Sequence, residues 1–459
     1  MIASDTIAAI STSMGKAGIG IIKLSGPKAI QRSLQFFRKK NKTPIDPEKV
    51  VSHTMIYGWM INDTTEMIID EVLWVCMKKP CSYTGEDVAE IHTHGSHVVL
   101  QTILDLILSD NQIRLAKPGE FTRRACLNGR MDLTHAEAIK ELISAQTPKT
   151  LHLTSAHFSG QFHAQISSIR DDIYKCLARL EATIDFPEEM VDEELAPLSL
   201  IPQIDQINQL IVSYDQTAIY REGLKVVIVG CPNVGKSSLL NCLLAKERAI
   251  VSQQPGTTRD VIDAQINIEN IPITIYDTAG IHQTFDSIEQ QGISRAKALI
   301  DQADLILFLV EANRKLSPDD FYVYQMIKEC NWILCANKID RVKNIQIDPL
   351  PLQWPEPICI SARYDIGMDS LRKAIVKQTL HQDSDLPEPE YMINFRQKKC
   401  LQKAKDALMQ AQTASNENLP VDCVVIDIRL ALDALGEITG DVWHKDVLDE
   451  IFSTFCIGK

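Results

Sequence analysis

The chain has 459 residues, of which 45% are hydrophobic and 23% are charged. A chain of this length is too long for one hydrophobic core, so roughly two to four domains are expected in a soluble globular protein. Its 60 acidic residues against 47 basic ones give a net charge of −13. That balance argues against a surface built mainly to bind nucleic acid, since phosphate contacts need clustered Lys and Arg. Any RNA must be held by a local patch or by a partner.

The 12 cysteines include no C-x-x-C pair, and their closest spacings, Cys76 with Cys81 and Cys330 with Cys335, lie in or beside apolar runs. This usage predicts reduced thiols in a cytosolic protein. The first residues include Asp5 and lack a basic stretch before an apolar core, so we expect no signal peptide. No uncharged apolar run approaches membrane-spanning length. We therefore expect a cytoplasmic protein that does not bind a membrane.

The N-terminal region mixes two kinds of pattern. Strand-like runs at residues 6–10, 19–24 and 71–77 accompany a helical pattern at 98–108, which predicts an α+β domain over residues 1–121. Within it, His92, His94 and His97 have an H-x-H-x-x-H spacing that suggests zinc. No fourth ligand is obvious nearby, and alternation around this segment favours a strand or loop.

Helical patterns follow the N-terminal region. One apolar stripe steps by three and four residues through Ile166, Ile169, Ile173, Leu177, Leu180 and Ile184, which is typical of a helix packed on one face. A break rich in proline and acidic residues covers 186–202, and a second helix is predicted over 204–214. These stripes indicate core packing.

Residues Gly230 to Ser237 read G-C-P-N-V-G-K-S and match the phosphate-binding loop pattern G-x-x-x-x-G-K-S. An apolar run at 224–229 precedes the loop and a helix start follows it. In that context the two glycines permit a turn whose N–H groups face phosphate oxygens, Lys236 reaches the β- and γ-phosphates, and Ser237 can ligate Mg²⁺. The pattern predicts a nucleoside triphosphate site.

The region around this loop alternates strand-like and helix-like runs, which is typical of an α/β sheet with crossover helices. Strands are predicted at 225–229, 273–276, 305–310, 333–336 and 357–360, with an antiparallel edge strand at 261–268. Three motifs stand at strand ends: Asp277-Thr-Ala-Gly280, Asn337-Lys-Ile-Asp340 and Ser361-Ala-Arg363. In the first motif, the Asp277 carboxylate can hold Mg²⁺ through water and the Gly280 N–H can donate to the γ-phosphate. A carboxylate at Asp340 accepts from guanine N–H groups that adenine lacks, so the order of motifs predicts GTP.

Two departures from Ras-like switches matter. Ile281 stands where Ras-like proteins place the glutamine that orients water, so another group must assist hydrolysis. Asn233 lies inside the loop, and the segment 255–260 follows. The Asn233 carbonyl and nearby loop oxygens could hold K⁺ beside the β/γ bridge, where it would neutralise developing charge. The alternative is that Asn233 only forms a turn.

After a second acidic and proline-containing break at 383–390, helical patterns resume with Leu401, Ala404, Leu408 and Ala411 and then over 425–435. Neither helical flank can bury its stripe alone. We therefore predict one discontinuous all-α domain, 122–219 and 381–459, with an inserted P-loop GTPase (Ras-like) domain at 220–380.

The chain resembles the MnmE (TrmE) family of tRNA modification GTPases from end to end. The resemblance rests on these segments: residues 5–9, 18–26, 83–87 (Y-T-G-E-D), 117–122 (K-P-G-E-F-T), 133–139, 184–187 and the C-terminal F-C-I-G-K of 455–459. Because these motifs lie outside the GTPase region as well as around it, a shared GTPase domain alone cannot account for them.

The resemblance implies a chemistry and partners. Members bind a one-carbon tetrahydrofolate (5-formyl- or 5,10-methylene-) in the N-terminal domain and dimerise through it. With an FAD-binding MnmG partner, in a heterotetramer, they add a carboxymethylaminomethyl-type group to the 5-position of the tRNA wobble uridine. On this chain the acidic surface implies that the partner holds most of the tRNA.

The resemblance also implies site residues. K⁺ would be held by Asn233, Ser252, Gln254 and Thr257, and Mg²⁺ by Ser237 and Thr258, while Glu289 would position water. The implied GTP-binding set is Asn233, Val234, Gly235, Lys236, Ser237, Ser238, Ser252, Gln253, Gln254, Pro255, Gly256, Thr257, Thr258, Asp277, Thr278, Ala279, Gly280, Asn337, Lys338, Ile339, Asp340, Ser361, Ala362 and Arg363.

The implied folate-binding residues are Lys23, Glu90, Arg130 and Lys459. Relatives often have Arg at the first and Lys at the third, so charge is kept while donor geometry changes. Cys456 is the implied thiol for one-carbon chemistry; the alternative is a small buried residue in a packed tail. A further departure is His282, where relatives often place Arg.

Two other functions stay open. A ribosome-assembly GTPase would bind RNA without modification chemistry, and a regulatory GTPase would use its flanks only to recruit proteins. The first predicts an appended basic RNA-binding domain, which the net charge of −13 disfavours.

Overall fold

The computed structural model describes residues 5–13, 15–39, 43–109, 111–185, 198–246, 263–277, 297–342, 351, 353–379, 389–442 and 445–459. The chain divides into two compact units. The first comprises Met1–Glu141, His157–Ile207 and Lys399–Lys459, and the second comprises Leu142–Ala156 and Asn208–Lys398. The predicted multidomain class is confirmed. The predicted residue boundaries of the domains stay a prediction.

The first unit contains a seven-stranded sheet of order β3-β4-β5-β6-β2-β1-β7. Its strands are β1 Thr6–Ile10, β2 Ala17–Ser25, β3 Phe37–Arg38, β4 Ile56–Ile61, β5 Ile68–Met77, β6 Val88–Gly95 and β7 Ile113–Leu115. All neighbours pair antiparallel except β1 with β7. Helices α1 (Ala29–Gln35) and α2 (His97–Leu108) share one apolar cluster with the strands. Within that cluster the buried indole of Trp74 donates to Ser33 Oγ at 2.9 Å.

The two helical flanks of the chain include one long helix of 25 residues, Gln161–Asp185. In chain order the helices are α3 Glu120–Leu127, α4 Leu133–Ser144, α5 Pro148–Phe158, α6 Gln161–Asp185, α7 Ile201–Glu222, and, after the second unit's sheet, α11 Phe395–Asn416, α12 Val421–Thr439 and α13 Lys445–Ser453. Helix α6 packs on α12, so helices from both flanks meet in the first unit, whereas most of α5 and α7 falls in the second unit.

The predicted helical stripes need two corrections. On α6 the stripe is buried only as far as Leu177, while Leu180 is half-buried and Ile184 is exposed. The predicted stripe is therefore too long, because the last turns leave the packed interface. The helix predicted over 204–214 extends from Ile201 to Glu222; Pro202 does not stop it, since proline is tolerated in a first helical turn.

The second unit is an α/β fold with a six-stranded sheet of order β13-β12-β11-β8-β10-β9. Its strands are β8 Leu224–Gly230, β9 Asp263–Ile268, β10 Ile271–Asp277, β11 Leu305–Glu311, β12 Trp332–Asn337 and β13 Ile358–Cys359, and its helices include α8 Lys236–Lys246, α9 Pro318–Ile327 and α10 Met368–Thr379. Only β9 pairs antiparallel, with β10, so the edge strand was predicted correctly. Separate apolar clusters contain alternate residues of these strands, as expected for strands buried on both faces.

A partly buried ionic network, centred on Glu120 and Arg124, fixes the start of α3 in the first unit. Glu120, only 6% exposed, accepts from both terminal nitrogens of Arg114 at 2.5 and 2.8 Å and from Arg124 at 3.1 Å. Arg124 also pairs with Asp5 at 2.8 Å and Glu86 at 3.1 Å. Burial alone would raise the pKa of Glu120, but hydrogen bonds from Arg114, the Lys117 N–H and Arg124 lower it to about 2.

We predict that Glu120→Gln lowers the urea midpoint of unfolding at pH 7, and the free energy of unfolding by about 3 kcal/mol, because it leaves the buried guanidinium of Arg124 with a weaker partner. The folded pKa of about 2 lies below the ordinary value of 4.5. The stabilisation is therefore present above the unfolded pKa and is lost as pH falls from about 4.5 towards 2. The variant should lack this part of the acid dependence. The exposed Glu417→Gln serves as control, and a Glu120→Gln protein as stable as the parent at pH 7 would contradict the prediction.

Candidate functional site

The phosphate-binding loop closes around the Lys236 side chain. Strand β8 ends at Gly230, helix α8 begins at Lys236, and Lys236 Nζ donates to the carbonyls of Gly230 at 2.9 Å and Cys231 at 3.0 Å. Lys236 is 6% exposed. Burial lowers its pKa, and the nearby Asp277 carboxylate opposes that shift. The sequence folds this way because the strand delivers the loop to the helix N-terminus, where N–H groups lack helical partners.

Gly235 is required by both conformation and space. Its φ is +104°, in a region that side chains rarely adopt. A Cβ atom there would overlap the side-chain amide of Asn337. The close approach of these two residues brings the phosphate loop against the motif that follows β12.

Ser237 and Asp277 form the oxygen-rich end of the loop. Asp277 is the last residue of β10, which pairs parallel with β8. Ser237 Oγ donates to Asp277 Oδ2 at 2.9 Å. A hydroxyl beside a carboxylate is the type of donor set that Mg²⁺ prefers, so the described residues fit the predicted cation.

One buried amide joins the loops at the other end of the site. Asn337 is 2% exposed. Its Nδ2 donates to the Val234 carbonyl at 2.8 Å, while its Oδ1 accepts from the N–H groups of Lys338 at 2.8 Å and Ala362 at 3.1 Å. The phosphate loop, the segment after β12 and the segment after β13 are thereby held together.

Asp340 and Ser361 complete this end. Ser361 Oγ donates to Asp340 Oδ1 at 2.5 Å. Ser361 is buried and Asp340 is exposed. The Ser361 hydroxyl therefore fixes the Asp340 carboxylate while that carboxylate stays accessible to solvent. This arrangement suits an acceptor for guanine N–H groups.

Lys338 connects the motif at the end of β12, Asn337-Lys-Ile-Asp340, to the phosphate loop. It has a φ of +67°, and its Nζ donates to the Asn233 carbonyl at 2.5 Å and forms an ion pair with Glu311. Glu311 was not predicted from the sequence. The available signal was its place at the end of β11, since carboxyl ends of neighbouring parallel strands meet at one edge of a sheet.

Several predicted residues lie outside the described residues. They are Ser252, Gln253, Gln254, Pro255, Gly256, Thr257, Thr258, Thr278, Ala279, Gly280 and Glu289. The rest of the segment 255–260 and the two departures, Ile281 and His282, also lie outside them. Among the predicted K⁺ ligands, Asn233 is described: it has a φ of +66° and is exposed.

A second candidate site is a cavity of about 480 Å³ in the first unit. All four predicted folate-binding residues line it, namely Lys23, Glu90, Arg130 and Lys459. Lys23 on β2 pairs directly with Glu90 on β6. The structure therefore brings together residues that are far apart in the chain. We call this cavity the first-unit pocket.

The Lys23 ammonium is enclosed by aromatic rings. Its Nζ lies 4.2 Å from the ring centroid of Tyr83 and 5.3 Å from that of Phe121, distances at which cations are attracted to ring faces. Burial lowers the pKa of Lys23, Glu90 opposes the shift and Lys459 adds to it. The pocket thus contains a partly desolvated cation that favours an anionic group.

The remaining predicted members have fixed supports. Arg130 Nε donates to the Ser82 carbonyl at 3.0 Å, and Glu90 Oε2 lies 3.2 Å from His92 Nε2. Sequence reasoning missed the lining residues Tyr83, His135 and Phe158; the rings of the last two meet edge-on at 4.7 Å. Tyr83 stands within the recognised Y-T-G-E-D segment, which was the available signal.

The C-terminal segment, residues 455–459, is seated on the N-terminal part of the first unit. The Gly458 carbonyl accepts from Ser11 Oγ at 3.1 Å, and the Lys459 carbonyl accepts from the Phe121 N–H at 3.2 Å. Phe455 packs with Phe452 and Leu133 in one apolar cluster. This seating places Gly458 and Lys459 in the wall of the first-unit pocket.

Cys456 is exposed, which excludes the alternative that it is a small buried residue. Its carbonyl accepts from the Gly119 N–H at 3.3 Å. The segment is therefore fixed through its backbone while the thiol side chain faces solvent.

The three histidines occupy different environments. His92 and His94 lie on β6, as the strand interpretation predicted, and His97 begins α2. His94 Nδ1 is 2.7 Å from Asp70 Oδ1, and His92 faces Glu90. In the described part of the chain no group of three or more His, Cys, Asp or Glu residues could hold a metal ion.

Comparison with known proteins identifies the family. A family profile described as GTP-binding protein TrmE N-terminus matches residues 6–130, and one described as MnmE helical domain matches residues 133–456. The tRNA modification GTPase MnmE of Thermoanaerobacter pseudethanolicus is 43% identical over 462 residues, covering 99% of both chains. The chain belongs to the MnmE family of tRNA modification GTPases.

Membership in the MnmE family establishes the activity class. The MnmE of Alkaliphilus oremlandii is 40% identical over 464 residues and covers 100% of both chains. The protein is a GTPase that participates in tRNA modification. A crystal structure of Aquifex aeolicus Era bound to GDP.AlF4- is 32% identical over 41% of this chain and 67% of that chain, with a TM-score of 0.29. Among the described helices, none is both long and apolar enough to cross a membrane.

We predict that Gly235→Ala weakens guanine-nucleotide binding at least about tenfold, because its φ of +104° and the overlap with Asn337 both oppose a side chain. Fluorescence titration with a labelled GDP measures the effect. Gly160→Ala is the matched control, since Gly160 also has a positive φ, +73°, but no atom lies within 4 Å of an added Cβ. Equal affinity in the Gly235→Ala protein and the parent would contradict the prediction.

Proposed function

We propose that this GTPase uses a one-carbon tetrahydrofolate and an FAD-binding MnmG-like partner to add a carboxymethylaminomethyl-type group to the 5-position of the tRNA wobble uridine. The observation that carries the proposal is the convergence of Lys23, Glu90, Arg130 and Lys459 on one pocket. That pocket lies in the first unit and is distinct from the nucleotide loops of the second, so a ligand other than GTP is expected there.

The nucleotide loops suit GTP. Lys236, at the start of α8, is assigned to the β- and γ-phosphates, and the Asp340 carboxylate, held by Ser361, would accept from the guanine base. Ser237 would hold Mg²⁺, with Thr258 as a second ligand outside the described residues. When bound, Mg²⁺ supplies neutralisation of phosphate charge. The chain's own contribution is to fix the hydroxyl beside Asp277.

The hydrolytic step needs a substitute for the glutamine that Ile281 replaces. We assign K⁺ binding to Asn233, Ser252, Gln254 and Thr257, and the positioning of water to Glu289. Lys338 holds the Asn233 carbonyl, and this contact limits movement of the backbone that presents the asparagine side chain. Such preorganisation favours a charge-stabilising role over a turn-forming role alone.

The first-unit pocket suits a folate by its charges and its rings. Lys23, Arg130 and Lys459 offer cations to the glutamyl carboxylates, and Glu90 offers an acceptor to the polar pterin. The aromatic side chains of Tyr83 and Phe158 line the same space and suit a flat ring system. Cys456, exposed two residues before Gly458, is the proposed thiol for one-carbon chemistry.

The proposed assembly is a homodimer joined with the MnmG-like partner in a heterotetramer in the cytoplasm. The net charge of −13 favours a division in which the partner holds most of the tRNA, because phosphate contacts need clustered cations.

Nucleoside mass spectrometry of tRNA tests the proposed function. In cells that lack this protein, the 5-substituted wobble uridine should disappear, and the full chain should restore it. Lys23→Ala combined with Arg130→Ala should fail to restore the nucleoside while retaining GTP hydrolysis. Unchanged wobble uridine in the deletion strain would support a ribosome-assembly or regulatory GTPase instead.

We also predict that GTP hydrolysis by the full chain is at least about tenfold faster in K⁺ than in Na⁺ at equal ionic strength, because the larger ion fits a ring of loop oxygens. Asn233→Ala should remove the difference. Steady-state phosphate release measures both rates. Equal rates in the two salts would refute the assignment of Asn233.

A further inference from the structure

Glu311 lies between the two halves of the nucleotide site. It is the last residue of β11, whose neighbours in the sheet are β8 and β12. Residue pairing aligns Leu309 with Gly230 on one side and Glu311 with Asn337 on the other. The carboxylate therefore projects from the strand end that separates the phosphate loop from the base-recognition motif.

Glu311 contacts a cation on each side. One carboxylate oxygen forms the ion pair with Lys338 Nζ, and the other lies 3.7 Å from Arg314 Nε. The side chains of Glu311 and Lys338 are only 18% and 20% exposed. Ion pairs that are shielded to this degree are weakened less by solvent than surface pairs.

Arg314 continues the network to a fully buried carboxylate. It donates to Asp320 through both terminal nitrogens, at 2.6 and 3.1 Å. Asp320 also accepts from the N–H and hydroxyl of Ser317 at 2.8 and 2.7 Å. The N–H bond and the reciprocal bond from the Asp320 N–H to Ser317 Oγ form the capping box of α9. Burial alone would raise the pKa of Asp320, but the bonds from Arg314 and Ser317 lower it. Asp320 is thus a rigid anionic acceptor.

The network returns to the phosphate loop through Cys231. The Cys231 thiol donates to Asp320 Oδ1 at 3.1 Å, and the Cys231 carbonyl accepts from Lys236 Nζ. At its other end, Lys338 Nζ donates to the Asn233 carbonyl. Two residues of the same loop are therefore held from opposite ends of one chain of polar contacts.

We propose that Glu311 is a positioning residue of the nucleotide site, which fixes Lys338 against the phosphate loop, and that the Asp320–Cys231 contact supports the loop from its other side. Lys338 has a long, flexible side chain, and one carbonyl acceptor does not define its position. The Lys338 contact joins the motif Asn337–Asp340 to the phosphate loop at Asn233, and the Asp320 contact holds the same loop at Cys231. Glu311 therefore sets affinity for GDP and GTP alike.

The test of Glu311 is equilibrium binding of labelled GDP and of a non-hydrolysable GTP analogue to the full chain, with steady-state hydrolysis. Glu311→Ala should weaken both nucleotides by about the same factor, about tenfold, as for a lost hydrogen bond to a charged group. The KM for GTP should rise as well. The exposed Glu329→Ala, from the same unit, is the control. Unchanged affinity, or a loss confined to the GTP analogue, would overturn the proposal.

A double-mutant cycle separates positioning from general stability. If Glu311 acts through Lys338, the protein with Glu311→Ala and Lys338→Ala should lose no more affinity than Lys338→Ala alone. Fully additive losses would contradict that route. The inference rests on the proposed nucleotide site. Gly235→Ala tests that site separately, so a failure of the site and a failure of Glu311 are distinguishable.

The contact between Asp320 and Cys231 can be tested with matched variants at neighbouring positions. Asp320→Asn should weaken GDP binding, whereas the exposed Asp319→Asn in the same helical turn should not. Cys231→Ser keeps a donor for Asp320 and should retain the parental affinity, while Cys231→Ala should show the loss. Identical affinities of the Ser and Ala proteins would refute the role of the thiol contact.

Discussion

The seating of the C-terminal segment on the N-terminal part of the chain is the constraint on which the remaining architecture depends. Gly458 has a φ of +93°, and a Cβ there would lie 2.5 Å from the Ile10 carbonyl; the backbone approaches β1 this closely only because the side chain is absent. Since both ends of the chain belong to the first unit, the long segment that carries the nucleotide loops must leave that unit and return to it. The same seating supplies Lys459 to the first-unit pocket.

The nucleotide site has a second constraint of its own, the common edge of a parallel sheet. Strands β8, β11 and β12 end side by side, so short side chains from each strand end can reach the next. Asn337 uses its amide for three such contacts, and Asp340, held by Ser361, stays exposed. The two candidate sites thus have separate physical supports, and each can be disrupted while the other is kept.

Much of the nucleotide site was predictable because its motifs are contiguous and each stands at a strand end. The role of Glu311 was not, because it depends on β11 lying between β8 and β12, and strand order cannot be read from one sequence. In the first-unit pocket, Lys23, Glu90, Arg130 and Lys459 came from family resemblance; as single charges they would have been assigned to the surface. His135 and Phe158 belong to α4 and α5, for which no apolar stripe was identified from the sequence, so nothing in their spacing pointed to a pocket. Periodicity also over-predicted burial. It correctly indicated the apolar face of α6 but could not show that the end of this face, at Ile184, is exposed.

The central claim is that the C-terminal segment completes a folate pocket separate from the GTP site. Calorimetric titration of 5-formyltetrahydrofolate into the full chain, and into a chain lacking Gly458 and Lys459, tests this claim most directly. GDP binding is measured on both proteins to show that the second unit is intact. The account predicts one folate bound per full chain, at least about tenfold weaker binding after truncation, and equal GDP affinities. Absence of folate binding to the full chain, or equal folate affinities of the two proteins, would contradict it.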